Sequence, residues 1–441
     1  MSTPATPGPR RSDQFIEQDV LGSYGKKVLF ANPNGESPLF AISERNRGGF
    51  NSATDGKIGH YRHDWPTQRL PIQGGSFTAS EIYTGTDMGT KYTAAATPAG
   101  TSLVVKVTAA IAKEIRPKHT IKLEKTGDRR HRMGGTVTNV VVNGASSYVV
   151  FTTHSTASAT YGLDECDYIS VKGNENAQFG ARPDGVKYDP VLSYNATQIF
   201  RTPYGMSRTA QEMALRWGKP WARDKKMAGI LHRKEIESSF IWGEKAITVG
   251  DNGDILTRMG GLIEMCEDYA DDAHIADYAL DTGFQGISWA DGGKDFLDAY
   301  LETLGLWGKS ERLFLCGIAA KNAFTKVAAA NSTYNISKGE NSFGMQIDRF
   351  EGSGLTLQLR THPLMNLDPV MKYGGIIMNP EYLHYLYITD TMVKRDNSQE
   401  EGGVDSLDGR LEEILTECTF QYDQPKELGV LYNLGVDNEL A

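Results

Sequence analysis

Large apolar residues are sparse at the start of this chain, gather into short β-branched runs between about residues 98 and 173, and take helical spacing only after Ser207. Residues 1 to about 50 are rich in Pro, Gly, Ser and Asn, with scattered groups such as Phe15, Ile16, Val28, Leu29 and Phe30. So little apolar surface does not offset the entropy of ordering, so the segment reads as an arm that frays or orders on a neighbour. Residues 51 to 97 stay polar and extended, and HYRHDWPTQRLP and GGSFTASEIYTG set aromatics among turn formers, as in a long two-stranded loop. Such a loop has little of its own to pack on, a first hint of a partner chain.

The runs SLVVKVT (Ser102 to Thr108), HTIKLEK (His119 to Lys125), GTVTNVVV (Gly135 to Val142) and YVVFTT (Tyr148 to Thr153) are each too short for a helix. They predict a small all-β unit, a barrel or sandwich, with Asn143 and Gly144 as a hairpin turn between the last two runs. A Gly-, Asn- and Pro-rich return from Gly173 to Asn195 follows.

Near Ser207 a helical stretch begins, with Thr209 and Glu212 at the spacing of a capping box. Gly218 and Pro220 interrupt it, and proline suits the first residue of a new helix. From there Trp221, Met227, Ile230, Leu231, Ile236 and Phe240 recur at roughly helical spacing, while Arg223, Lys226, Arg233, Lys234 and Glu237 cover the other side and Gly243 closes the run. A helix from Pro220 to Trp242 spans about 34 Å, enough to brace a domain.

The second half alternates helix and strand. Phe296, Leu297, Tyr300, Leu301 and Leu304 form an i, i+3, i+4 stripe, RLFLCG reads as a buried strand, and Ile318 to Ala330 as a helix. LTLQLRTHPLM, GGIIM and HYLYITD read as strands, and Ile414, Thr416, Cys418, Phe420 and Tyr422 share one strand face. Residues 396 to 409 form a polar loop, and no repeat of 20 to 50 residues is present.

At 441 residues, 39% hydrophobic and 23% charged, the chain holds more than one packed unit. Its net charge of -9 excludes a surface wholly given over to nucleic acid, leaving only local basic patches. Cys166, Cys266, Cys316 and Cys418 have no paired spacing and read as reduced thiols. No run approaches the roughly 18 apolar residues of a membrane span, and MSTPATPGPRRSDQ lacks a signal-peptide core. A soluble protein made in a cytoplasm is expected.

Chemical motifs are weak. In GLWGKS the glycine before Gly308, Lys309 and Ser310 is Gly305, two residues too close for a phosphate loop, and the order is helix then strand, so a helix stop is expected. His119, His131 and His154 fall in the β unit without a metal-ligand pattern. Glu264, Glu267, Asp268, Asp271 and Asp272 read as a solvated helix face, Asp251 to Asp254 as a turn, and Lys125 to Arg132 as a solvated hairpin tip. There is no GxSxG elbow and no CxxC. No catalytic, cofactor-binding or metal-binding residue is assigned, no cofactor is expected, and the protein reads as no enzyme.

The stretch from about residue 195 to 262, with NATQIFRTPYGMSRTAQEM, KKMAGILHRKEIESSFIWG and TRMGGL, resembles a branch of the tailed-bacteriophage major capsid proteins of the Hong Kong 97 type, as spine helix and following turn. IRPKHTIKLEK, GTVTNVVVNG and DECDYISVKGNENAQFG look like the small β domain this branch carries in its extended loop, and LTLQLRTHPLM, GGIIMNPEYLHYLYI and LEEILTECTFQYDQPKELGVLYNLG are similar to the return from axial to peripheral domain. The resemblance spans roughly residues 50 to 435.

It implies an α+β Hong Kong 97-type capsid fold plus an inserted small all-β domain. The expected parts are an N-terminal arm (1–50), an extended loop (51–97 and 174–195), the β domain (98–173), a peripheral domain with the spine helix (196–250 and 380–441) and an axial domain (251–379). The implied function is a virion subunit, assembled in the host bacterial cytoplasm, whose pentamers and hexamers form an icosahedral shell around double-stranded DNA. Implied partners are other copies, a scaffolding protein, a portal protein, a decoration or cement protein, and packaged DNA by nonspecific contact, with no membrane. The acidic balance suits a lining that is not strongly cationic, and no lysine–asparagine cross-link is expected. A tail tube subunit is the alternative within virions, although the long helix counts against it. A metal-dependent hydrolase using His119, His131 or His154 is the alternative among enzymes.

Overall fold

Apolar residues on alternate positions, or three and four apart, set most elements of the computed structural model, which describes residues 38–47, 56–68, 71–93, 97–156, 160–180, 182–213, 220–250, 252–330, 337–338, 348–352, 354–395 and 409–438. The chain forms two compact units. Gln68–Val191 make one, and the segments Met1–Thr67 and Leu192–Ala441 on either side make the other.

In the flanking unit the helix Pro220–Trp242 has the predicted ends. At its close, a Cβ on Gly243 would lie 2.5 Å from the carbonyl oxygens of Met259 and Ser239, so only glycine fits there. The helix buries Ala228, His232, Ile236, Phe240 and Ile241. Leu231, expected inside, is exposed, and Glu237, expected in solvent, is fully buried. A second helix, Pro38–Arg45, accounts for Glu237: the amides of Leu39 and Phe40 donate to its carboxylate at 2.7 and 2.8 Å. Nothing in its polar surroundings predicts the Pro38–Arg45 helix; its compact PLFAI run supplies the buried apolar anchors Leu39 and Phe40. Residues 1–37, with Phe15, Ile16 and Val28 to Phe30, lie outside the described residues, as does the expected loop 396–408.

Against the long helix lies a three-stranded antiparallel sheet in the order Gln198–Ser207, Gly409–Tyr422, Leu383–Arg395. Ile414, Thr416, Cys418, Phe420 and Tyr422 share its buried face, as their alternation predicts. Phe240 meets Phe420 at 5.0 Å between ring centroids, and Phe40 meets Tyr385 edge-on at 5.4 Å. The expected capping box is replaced: Ser207, not Thr209, caps the short helix Arg208–Glu212, its hydroxyl accepting from the Ala210 amide.

The same unit holds a mixed seven-stranded sheet in the order Ile275–Asp277, Gly429–Tyr432, Gly375–Met378, Glu311–Cys316, Leu355–Thr361, Asp348–Gly352, Ser337–Lys338. Glu311–Cys316 is flanked on both sides, which is why RLFLC is apolar at almost every position. Arg312 is the exception: its buried guanidinium donates to the carbonyls of Lys309, Leu304, Glu427 and Trp307. GLWGKS is the helix stop it was read as, leaving the helix Trp289–Leu304 at Gly305 and turning at Gly308 with φ +77°. Phe296, Leu301, Phe324 and Leu357 join the core between this sheet and the helices Trp289–Leu304 and Ile318–Ala330.

The Gln68–Val191 unit is one antiparallel sheet in the order Gly74–Ser76, Tyr168–Asn174, His119–Lys125, Asp128–Val141, Tyr148–Thr153, Ser102–Lys106, Ile82–Tyr83. Val105, Ile121, Leu123, Val137, Val149, Phe151 and Ile169 form its core. Gly74–Ser76 and Ile82–Tyr83 come from the stretch read as loop. The two-residue turn expected at Asn143 and Gly144 is a longer link: a 3-10 turn Gly144–Ser146 follows, and the Asn143 amide donates to the Ser147 hydroxyl at 2.8 Å. A two-residue turn does occur at Thr126 and Gly127, the tip of the basic KTGDRRHR hairpin, where Gly127 has φ +83°.

Candidate assembly surfaces

Residues weighed for chemistry are engaged separately. The Arg116 guanidinium donates to His119 at 2.8 Å, His131 Nδ1 lies 2.9 Å from the Gly162 carbonyl, and His154 sits beside the Thr136 hydroxyl. Among the described residues no group of three or more His, Cys, Asp or Glu is placed to hold a metal. In the acidic cluster, Glu264 accepts the Lys245 amide at 2.7 Å, the Lys245 ammonium meets Asp268 and lies 4.5 Å over the Tyr269 ring, and Asp271 pairs with Lys426 at 2.8 Å. Burial pushes the Glu264 carboxyl up. Burial also pushes the thiols of Cys166 and Cys266 up to about 12, leaving them un-ionised at neutral pH. Among the described residues no helix is long and apolar enough to cross a membrane.

What the described surface offers is apolar structure without a core. Directly after the long helix, Ala246–Val249 pairs with Ile255–Arg258 in a two-stranded hairpin, closed where the Gly250 amide donates to the Asp254 carbonyl at 2.7 Å. Asn252 to Asp254 thus lie in the turn expected there, with Asp251 outside the described residues. The register sets Val249 opposite Ile255 and Ile247 opposite Thr257, which places Ile247, Val249 and Ile255 on one face. They are exposed by 43%, 71% and 57%, and Leu256 on the other face by 55%. An isolated hairpin is marginal in water, and one that presents its apolar face to solvent gains stability when another surface covers it. The β-branched AITV and ILT runs around DNGD were the available signal for these residues, but only the turn between them was read.

A second ribbon pairs Arg62–Thr67 with Val191–Ala196. Trp65 anchors it in the core while Leu192 stands exposed. The three-stranded sheet leaves Ile199, Met392, Val393 and Leu411 open. Extended ribbons and apolar sheet positions of this kind bind other proteins by covering apolar groups and pairing backbone.

Residues 63–435 match the family described as SU10 major capsid protein. A curated relative, the major capsid protein of Pseudomonas phage PaMx41, is 20% identical over 236 residues, covering 53% of this chain and 55% of the relative. The chain thus spans about half the length of the curated relative it matches. Among solved structures, one of Mycobacterium phage Adephagia is similar at 8% identity and a TM-score of 0.43, covering 94% of this chain and 95% of that one. One of Mycobacterium phage Cain is similar at 11% identity and a TM-score of 0.37, with 59% and 79% covered.

Proposed function

The chain belongs to the SU10 major capsid protein family, and from that premise we propose that it is a non-enzymatic virion subunit whose pentamers and hexamers tile an icosahedral shell around phage double-stranded DNA. The observation that carries this reading is the hairpin after the long helix, whose Ile247, Val249 and Ile255 face solvent with no core beneath them. Head-to-tail contact, in which one copy's apolar ribbon lies on a different surface of the next, closes into rings, and rings tile a shell.

Within this reading the chain has the α+β Hong Kong 97-like capsid fold. The Pro220–Trp242 helix is its spine, and the three-stranded sheet belongs to the peripheral domain. The Gln68–Val191 unit is the small β domain inserted in the extended loop, a role supported by its own core and its position between the strands Arg62–Thr67 and Val191–Ala196. Residues 251–379 make the axial domain; Gly429–Tyr432, from the peripheral segment, pairs into its sheet. A scaffolding protein, a portal and a decoration protein are further partners on this reading, and packaged DNA meets the shell through nonspecific contact.

The test is the mass distribution of the purified protein by light scattering over a concentration series, followed by electron microscopy. Pentamers, hexamers or larger particles are expected; a strictly monomeric chain at high concentration, with and without a macromolecular crowder, overturns the reading.

A further inference from the structure

Between Arg223 and Lys234 the Pro220–Trp242 helix carries a stripe of cations on the side turned away from the residues it buries there. At 100° per residue, Arg223, Lys226, Arg233 and Lys234 fall within an arc of about 100° and run roughly 16 Å along the axis. All four are exposed, and over this stretch the helix buries Ala228 and His232 on the far side. Between Arg223 and Lys234 no carboxylate shares the arc, and Glu237, which returns to it one turn later, is buried and engaged by the Leu39 and Phe40 amides. Asp224 lies on the flank, 3.5 Å from Arg223, and Glu235 is turned to the Thr202 hydroxyl at 3.2 Å. Lys226, Arg233 and Lys234 make no ion pair among the described residues. Unopposed cations in a row on a chain of net charge -9 are a local concentration of charge that solubility does not require.

We infer that this stripe is the surface on which the subunit meets the phosphate backbone of double-stranded DNA; the inference rests on the shell reading above and assigns its nonspecific DNA contact to named residues. A duplex presents roughly ten phosphate charges over the length of the stripe. Arginine offers a planar fork and lysine a point charge to such oxygens. No aromatic lies in the arc to stack on a base, so the contact reads charge and not sequence. A linear polyanion matches this row of cations better than a compact acidic protein patch, whose few carboxylates have to match them one by one. The expectation of a lining that is not strongly cationic then holds for the protein as a whole while one helix face supplies the grip. Four phosphate contacts correspond to a slope of about -3.6 in log affinity against log salt, a hold that weakens readily.

The experiment compares the full chain with the variant Lys226→Gln, Arg233→Gln, Lys234→Gln, below its assembly concentration so that every face is open. Binding to a fluorescent duplex of mixed sequence is followed by anisotropy between low and moderate salt, and assembly is followed in parallel by light scattering. The variant is expected to assemble like the parent, to bind the duplex at least about tenfold more weakly at low salt, and to lose about 2.7 from the magnitude of the slope. A Lys226→Arg, Lys234→Arg variant is expected to keep the parental slope; a loss there as well assigns the effect to packing and overturns the inference. Unchanged affinity and slope in the glutamine variant overturn it, and loss of assembly with DNA binding intact reassigns the stripe to a contact between proteins. If the parent never assembles, the shell reading fails, while the comparison of slopes still decides the DNA contact.

Discussion

Nε2 of His362 lies 2.7 Å from Oε1 of Glu237, and neither side chain has any exposed surface. The Leu364 amide donates to the other ring nitrogen of His362 at 3.2 Å, so the proton of the neutral imidazole sits on Nε2 and points at the carboxylate. Glu237 thus ties the long helix to the helix Pro38–Arg45, through the Leu39 and Phe40 amides, and to the segment after Leu355–Thr361.

Glu237→Ala leaves two buried amides and an imidazole N–H without an acceptor. A loss of about 3 kcal/mol is expected, read from the urea unfolding midpoint of the subunit. A loss below about 1 kcal/mol removes the anchoring role.

Arg312→Lys keeps the charge and loses the fork that reaches four carbonyls at the end of the helix Trp289–Leu304 and around Glu427. Burial pulls the Arg312 guanidinium down and the nearby Glu427 carboxyl partly offsets this. The substitution is expected to cost about 2 kcal/mol, seen as a lower thermal midpoint; an unchanged midpoint contradicts the carbonyl network.

Val249→Lys with Ile255→Glu replaces an apolar cross-strand pair on the hairpin by an oppositely charged one, so the ribbon itself is retained. Subunit stability is expected to stay within about 0.5 kcal/mol while particle formation by light scattering drops sharply. Particles of parental size and yield would exclude this face as a contact between copies.

His384 joins the chain end of the Pro38–Arg45 helix to the three-stranded sheet: Nδ1 lies 3.0 Å from the Asn46 carbonyl and Nε2 2.8 Å from Asp423. Burial pulls this imidazole down, but the hydrogen bond and charge of Asp423 together with the Asn46 carbonyl outweigh it, and the net direction is up from 6.5. A raised folded value means stabilisation that is complete below about pH 6.5 and is lost as pH rises through the folded value. The stability gap between the parent and His384→Gln, from urea unfolding at steps between pH 6 and 9, is therefore expected to be largest at the acid end and to shrink with rising pH. A gap that widens with pH reverses the assigned sign.

His232 behaves in the opposite sense. Held between the hydroxyls of Thr202 and Thr416 at 2.9 and 2.7 Å, it is pulled down by burial and by Arg233. Unfolding then takes up a proton below about pH 6.5, so its contribution falls as pH falls. His232→Gln is expected to flatten the acid limb of the stability profile, and an unaltered limb assigns acid sensitivity elsewhere.

Local pattern revealed elements better than their surroundings. Pro220 and Gly243 bound the long helix because proline opens a helix and the Met259 and Ser239 carbonyls exclude any Cβ at its end. Which face is buried depends on a helix 198 positions earlier, so Glu237 passed for a solvent residue until Leu39 and Phe40 were seen to donate to it. Ser207 lost the capping role to Thr209 in the sequence because a capping box is a spacing rule, while the choice of cap is made by the dihedral angles of the residue itself, extended at Ser207. The hairpin of Ile247, Val249 and Ile255 was passed over because its strands are four residues each, below the length at which alternation stands out.

The order of strands in the larger sheet also sets a clock. Gly429–Tyr432 lies between Ile275–Asp277 and Gly375–Met378, and His274 reaches across 154 residues to the Leu428 carbonyl. A nascent chain emerging at roughly 5–20 residues per second therefore holds Ile275–Asp277 for roughly 8 to 30 seconds without its neighbour, since the strand that fills the sheet has yet to be made. Such long-range pairing is slow and leaves strand edges bare in the meantime. Bare edges of that kind are where growing chains can pair with one another before the sheet is complete.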